Sequence, residues 1–236
     1  IAPTAQAVDY IEVSVGADGQ VMIDPSQIDN GSFDNGDCIS LSLDRDTFDC
    51  GDVGRGSYFY VYEDQNTNTS ARKVIDNPIV TERESHHKGN KGKKGKKPKK
   101  RWFKGHKVTL TVTDAAGNTD RVRSYVVVVD NVAPEISAEP VTLAVYSYKK
   151  GWGRYSYTCK PYEYLRSYDV RASATDNCDS HPYVRVPRVK FNVDDAGVNF
   201  VQVTAEDYSG NVGQGDVTVN VVDITDHLDY RGRAYI

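Results

Sequence analysis

Apolar residues recur at every second position in short runs along this chain. In 108–113 (VTLTVT), Val108, Leu110 and Val112 face one way, and Thr109, Thr111 and Thr113 face the other. Segments 200–204 (FVQVT) and 217–222 (VTVNVV) read the same way. A period of two marks a half-buried strand. No stretch of a dozen residues places apolar side chains at i, i+3, i+4 and i+7 without a breaker, so the pattern argues against helices. Clusters of Asp, Asn and Gly separate the runs, as turns do between the short strands of a β-sandwich. Composition agrees: 19 Gly, 9 Pro and a single Met sit beside many Val, Thr and Tyr. No apolar run approaches the ~18 residues of a membrane helix.

The pattern repeats. Residues 108–118 (VTLTVTDAAGN) match 201–211 (VQVTAEDYSGN), so Asp114, Gly117 and Asn118 correspond to Asp207, Gly210 and Asn211 at an offset of 93. Asp130, after YVVVV, and Asp223, after VNVV, keep that offset. The unit starts match as Ile1-Ala2-Pro3 with Val132-Ala133-Pro134, offset 131, and Asp34-Asn35 matches Asp176-Asn177, offset 142. The drift in offset locates the insertions. The boundaries are therefore repeat one at 1–131 with a Lys-rich insertion at about 82–107, repeat two at 132–224 with a Tyr-rich insertion at about 146–168, and a tail at 225–236. A degenerate third copy, Tyr58–Glu63 followed by DQNTN, leaves two assignments for repeat one. We expect 107–129 to be its closing hairpin, because it runs directly into Asp130, and 57–76 to be an added hairpin supporting the basic loop.

The run 125–134 (YVVVVDNVAP), the turn Asp114–Asn118, Asp176-Asn177-Cys178 and the two-cysteine segment 28–50 resemble the hyalin (HYR) and related immunoglobulin-like repeats of secreted bacterial surface proteins. The resemblance covers most of 1–81 and 107–224. It implies two tandem immunoglobulin-like β-sandwich domains with long loop insertions, of the kind found in long extracellular adhesins, stalks or filaments, often without catalysis. Ile1 falls where the linker from a preceding repeat would end, which reads as a mature subunit or a fragment of something longer.

Charge is unevenly placed. Between Glu82 and Lys107 there are twelve Lys or Arg and two Glu, net +10; the remainder holds 17 basic and 31 acidic residues, net −14. The stretch 88–101, with Lys93, Lys94, Lys96, Lys97, Lys99, Lys100 and Arg101, reads as a mobile solvated loop. It suits either an anionic polymer or the acidic body of a neighbouring copy. No nucleic-acid-binding motif accompanies it. The Tyr-rich insertion, with Trp152 and Tyr155 among cations, suits a sugar face or a protein interface; the plain alternative is a hairpin folded back on its own domain.

Four cysteines, Cys38, Cys50, Cys159 and Cys178, allow three pairings. Sequence proximity favours Cys38–Cys50 and Cys159–Cys178. No Cys/His spacing supports zinc. Disulfides imply a secreted or cell-surface location.

In an immunoglobulin-like sandwich the loops carrying Asp176 and Asp179 and the turn starting at Asp207 lie at the same end as the linker Asp130-Asn131. Converging carboxylates call for a hard cation, and Ca²⁺ accepts six to eight oxygens in permissive geometry. The linker is also similar to the Asp-Asn-x-Ala-Pro junction of cadherins. A weaker set in repeat one is Asp29, Asp34, Asp37 and Asp114. Asp and Asn are equally at home in β-turns without any ion. Enzyme signatures are poor: Ser85-His86 and Ser180-His181 sit in no nucleophile elbow. The expectation is a non-enzymatic extracellular structural or adhesive protein, stiffened by calcium and disulfides, associating head to tail through its matching ends or through neighbouring repeats. The alternative is a carbohydrate- or polyanion-binding module.

Overall fold

The computed structural model describes residues 1–36, 38–63, 74–76 and 99–227. The chain forms two compact units, Ile1–Asn131 and Val132–Ile236. It is all-β: the only helical segments among the described residues are single 3₁₀ turns, and none of its helices is long and apolar enough to cross a membrane.

Unit 1 contains β1 (Tyr10–Ser14), β2 (Gln20–Met22), β3 (Ile39–Leu43), β4 (Thr47–Asp49), β5 (Ser57–Glu63), β6 (Val74–Asp76), β7 (Lys99–Asp114) and β8 (Thr119–Val129). The alternating half of β7 pairs with β3 on one side (Ile39↔Asp114) and with β8 on the other (Thr113↔Thr119). β1 runs parallel to β8, and β2 pairs with β4. Val108, Leu110 and Val112 are buried, as the period of two requires.

Pairing of β7 with β8 stops at His106↔Val126, and residues 99–105 pair instead with β5. The apolar side of this β5–β7 ribbon, with Phe59, Val61 and Phe103, packs on Tyr10, Tyr125, Val127 and Val129. A second, small core thus covers the outer face of the closing sheet. It explains why 125–128 is buried at consecutive positions: a strand covered on both faces has no polar side to alternate with. In 107–129, β7 and β8 form an antiparallel hairpin, and β5 pairs with β6 from Phe59↔Asp76 to Val61↔Val74. The expected loop over 88–101 ends sooner, because β7 starts at Lys99. Lys99, Lys100 and Arg101 belong to β7, opposite Glu63, Tyr62 and Val61, because β5 offers them a partner strand; Lys93, Lys94, Lys96 and Lys97 lie outside the described residues.

Unit 2 contains β9 (Glu135–Ala138), β10 (Val141–Val145), β11 (Tyr148–Lys150), β12 (Tyr157–Cys159), β13 (Glu163–Leu165), β14 (Ala172–Thr175), β15 (Tyr183–Arg185), β16 (Val189–Phe191), β17 (Gly197–Glu206) and β18 (Val212–Asp223). Its closing sheet has the order β10-β18-β17-β15, with β10 parallel to β18. β15, β17, β18 and β10 therefore repeat the pairing of β3, β7, β8 and β1. β9 pairs with β14, and β13 with β16. Between the layers lie Val145, Leu165, Phe191, Val201, Val203, Val217, Val219 and Val221. The Tyr-rich insertion makes the β11–β12 hairpin and β13. The tail begins with a 3₁₀ turn, Thr225–His227, whose Thr225 Oγ1 accepts a hydrogen bond from the Ser147 amide at 2.9 Å; 228–236 lie outside the described residues.

A repeated element unnoticed in the sequence follows β4 and β16. Phe48 and Phe191 are buried, and each precedes a 3₁₀ turn closed by a capping box: Asp49 with Asp52, and Asn192 with Asp195. The spacing Phe-Asp/Asn-x-x-Asp is its signal, at an offset of 143.

Candidate functional site

Asp29, Asp34, Asp114, Asp176, Asp179 and Asp207 accept backbone amides at turns. Asp114 accepts from the Asn118 amide and side-chain Nδ2, both at 2.8 Å, and from the Ala116 amide at 2.9 Å. Asp207 does the same with Asn211, at 2.8 and 2.7 Å. Asp29 accepts from Gly31 and Ser32, and Asp34 Oδ2 from Gly36. Asp179 Oδ1 accepts from His181 at 2.8 Å and Oδ2 from the Tyr208 amide at 3.1 Å, so within unit 2 it ties the 176–179 turn to the 207–211 turn. Asp176 Oδ2 accepts from the Cys178 and Asp179 amides at 2.9 and 2.8 Å. Asp130, which is buried, and Asn131 end unit 1. Asp37 lies outside the described residues.

Two oxygens in this set differ from the rest. Asp34 Oδ1 and Asp176 Oδ1, at corresponding positions of the two units, are buried without a hydrogen-bond partner. A buried carboxylate oxygen with no donor is poorly stabilised, and it is the form in which a protein offers a ligand to a hard cation.

Hydrogen bonding lowers the pKa of Asp114, with the Asn118 side chain as the leading cause. At Asp52, burial pushes the carboxyl up, but the Asp49 amide and the Arg45 guanidinium outweigh it and hold the carboxyl below its ordinary value. Asp52 is paired with Arg45 and lies 3.4 Å from His106 Nε2. Arg45 in turn covers the Phe48 ring at 4.3 Å, so this network holds the repeated 3₁₀ turn onto the core. A folded-state pKa below the unfolded value of about 3.9 means stabilisation that is present above that pH and lost as pH falls through the folded value. Asp52→Asn is expected to cost about 1–3 kcal/mol at pH 7 and less at pH 3, measured by urea unfolding at both. Equal losses would show that the charge of Asp52 plays no part.

The expected disulfides are not made. Cys50 and Cys178 are disulfide-bonded, whereas Cys38 is an exposed free thiol and Cys159 a half-buried one. Sequence proximity misleads here because Cys159 lies on the separate β11–β12 hairpin, opposite Tyr148, while Cys178 sits in the turn leading to β15. Cys50 lies in the 3₁₀ turn after β4, and Cys38 on the far side of β3 from it.

Trp152 and Tyr155 stand 92% and 84% exposed at the tip of the β11–β12 hairpin. Further along the insertion, tyrosines carry cations on their rings: Lys190 over Tyr162 at 4.4 Å and Arg188 over Tyr164 at 4.2 Å. Ser180 Oγ and His181 Nδ1 are 2.8 Å apart on an exposed turn. Ser85-His86 lies outside the described residues. A polar groove of about 290 Å³ in unit 2 is lined by Glu139, Thr142, Asp169 and Arg171 among others, with Arg171 turned 3.7 Å from Glu139.

No known family and no curated protein matches the sequence. Among solved structures the chain is similar to the N-terminal four Ig domains of Dscam1 isoform 6.44, at 9% identity and a TM-score of 0.27, over 94% of this chain and 46% of that one. It is likewise similar to the protocadherin GammaB4 extracellular domain, at 11% identity and a TM-score of 0.27, over 94% of this chain and 32% of that one. The chain spans less than half the length of either. Its immunoglobulin-like fold rests on the strand order and pairing described above.

Proposed function

We propose that the chain is a non-enzymatic extracellular structural or adhesive protein, a segment of a surface fibre or filament whose modules are stiffened by calcium. The observation that carries this reading is repetition: two consecutive units close with the same hairpin, the same parallel neighbour and the same capped 3₁₀ turn. Successive modules of one design are how chains build length and present surface. Disulfide-bonded cysteines support an oxidising, extracellular compartment. Self-association of such modules supplies the adhesive or fibrous contact.

Calcium enters through Asp176 and Asp34, whose second oxygens have no donor; Asp207 and Asp179 retain lone pairs nearby in unit 2. The ion would supply charge neutralisation at the acidic turns. Millimolar calcium is expected to raise the unfolding temperature, with about 2.7 kcal/mol of stabilisation at a hundredfold excess over Kd. Asp176→Asn should remove much of that shift. An unfolding temperature indifferent to calcium and to EDTA would remove the ion from this reading, and discrete monomers by electron microscopy of concentrated, calcium-loaded protein would remove the filament.

A further inference from the structure

Each unit has its own closing sheet of the same strand pairing, and an aromatic ribbon covers the outer face in unit 1. In unit 1, Phe59 stacks on Tyr125 with ring centroids 4.3 Å apart. Gly105 leaves room for it: a Cβ there would stand 2.9 Å from the Phe59 ring. The offset of 93 puts Thr218 and Val198 of unit 2 at the positions of Tyr125 and Gly105. In unit 2 Thr218 is half-buried and Val198 exposed. Val198 is 63% exposed, and Phe200, beside Thr218, is 70% exposed. Buried Val201, Val203 and Ala205 show that Phe200 points away from the core. A large aromatic at the centre of a sheet face, flanked by uncharged Gln202 and Thr204, is a contact surface rather than a scattered exposed residue.

The charges around Phe200 indicate what covers it. Asp216 on β18 lies opposite Gln202, and Arg185 on β15 lies opposite Thr204, so acid and base flank β17 on its two sides. All three side chains, Phe200, Asp216 and Arg185, are exposed. We propose that this face of unit 2 is an isologous contact with a second copy of the chain, the twofold axis running along β17. That rotation lays Phe200 on the partner's Phe200. It also brings each Arg185 towards the partner's Asp216, two residues away along the strand, about 7 Å, within a guanidinium's reach. A self-complementary arrangement of this kind is what a twofold interface requires. This deepens the self-association in the reading above and rests on that reading for the existence of a partner copy.

Sedimentation equilibrium of the full chain, from micromolar to millimolar concentration, tests it. The expected result is a reversible dimer. Phe200→Asp should weaken it about a hundredfold, as for a central hot spot. Arg185→Glu and Asp216→Arg should each weaken it about tenfold, and the double charge swap should restore it. The exposed sites leave the unfolding temperature as a check on folding. A chain that stays monomeric throughout overturns the proposal, with the calcium shift still able to speak for the modules. A dimer indifferent to Phe200→Asp overturns this face while leaving self-association standing, and a double swap that fails to restore the dimer overturns the twofold pairing.

Discussion

Phe59→Ala should destabilise unit 1 by about 3–5 kcal/mol, the range for deleting a fully buried phenylalanine. Its ring is 0% exposed and touches aromatic neighbours on several sides: Tyr125 at 4.3 Å, Phe103 at 5.5 Å and Tyr10 at 5.7 Å between centroids. Removing it leaves a cavity that the ribbon cannot collapse into, because β5 is fixed to β7 by pairing from Ser57↔Gly105 to Glu63↔Lys99. It also uncovers Tyr125 and Val127 in the uncharged, valine-rich C-terminal stretch of β8, so the variant should aggregate on warming. The measurement has a built-in reporter. The two tryptophans divide between the units, a half-exposed Trp102 tilted against Tyr60 at 4.9 Å in unit 1 and Trp152 92% exposed in unit 2, so the change in fluorescence on urea unfolding reports mainly on unit 1. A loss below about 1 kcal/mol would mean that the ribbon is not part of the cooperative fold of that unit.

How far the sequence discloses this arrangement depends on whether each signal is local. Alternation in 108–113, 200–204 and 217–222 is a consequence of one-sided burial, so those strands, their shared turn and the offset of 93 could all be read directly. The run at 125–129 carries a different message, burial on two sides, but identifying the second layer requires knowing that β5 leaves its own turn to pair with 99–105. The basic character of 99–101 conceals a strand because three successive cations carry no period of two, and only the pairing with β5 makes them strand. Which cysteines are bonded follows from the fold and not from their spacing along the chain, so Cys38 and Cys159 stay free although each has a bonded cysteine within twenty residues. The acidic turns were legible as turns. Their chemistry was not, since a carboxylate that caps backbone amides and one that holds an ion look alike until each oxygen's partners are known: Asp114 and Asp207 have partners on both oxygens, and Asp34 and Asp176 on one.

Gly213→Ala is expected to cost unit 2 about 3 kcal/mol, at the upper end of the usual range for overpacking. A Cβ at this buried position would stand 1.9 Å from the Pro134 carbonyl oxygen and 3.0 Å from its carbon. Both are backbone atoms, so no side-chain rotation can relieve the clash and the start of β9 must move. The next inward-facing position along β18 repeats the constraint, with a Cβ on Gly215 meeting Ile136 at 3.1 Å. Unit 1 solves the same problem differently. At the equivalent position, Asp120 reaches across to accept the Ala5 amide at 2.9 Å, holding its first segment by a hydrogen bond where unit 2 uses direct backbone approach. Displacing β9 should therefore break its pairing with β14, from Ala172↔Ala138 to Thr175↔Glu135. Hydrogen exchange should register this as lost protection at β9 and β14 with β17 and β18 unchanged, alongside the lower urea midpoint. Retained protection at Ile136, or a loss within the roughly 0.5 kcal/mol expected of a neighbouring exposed substitution such as Val212→Ala, would show that β9 does not depend on the missing side chain.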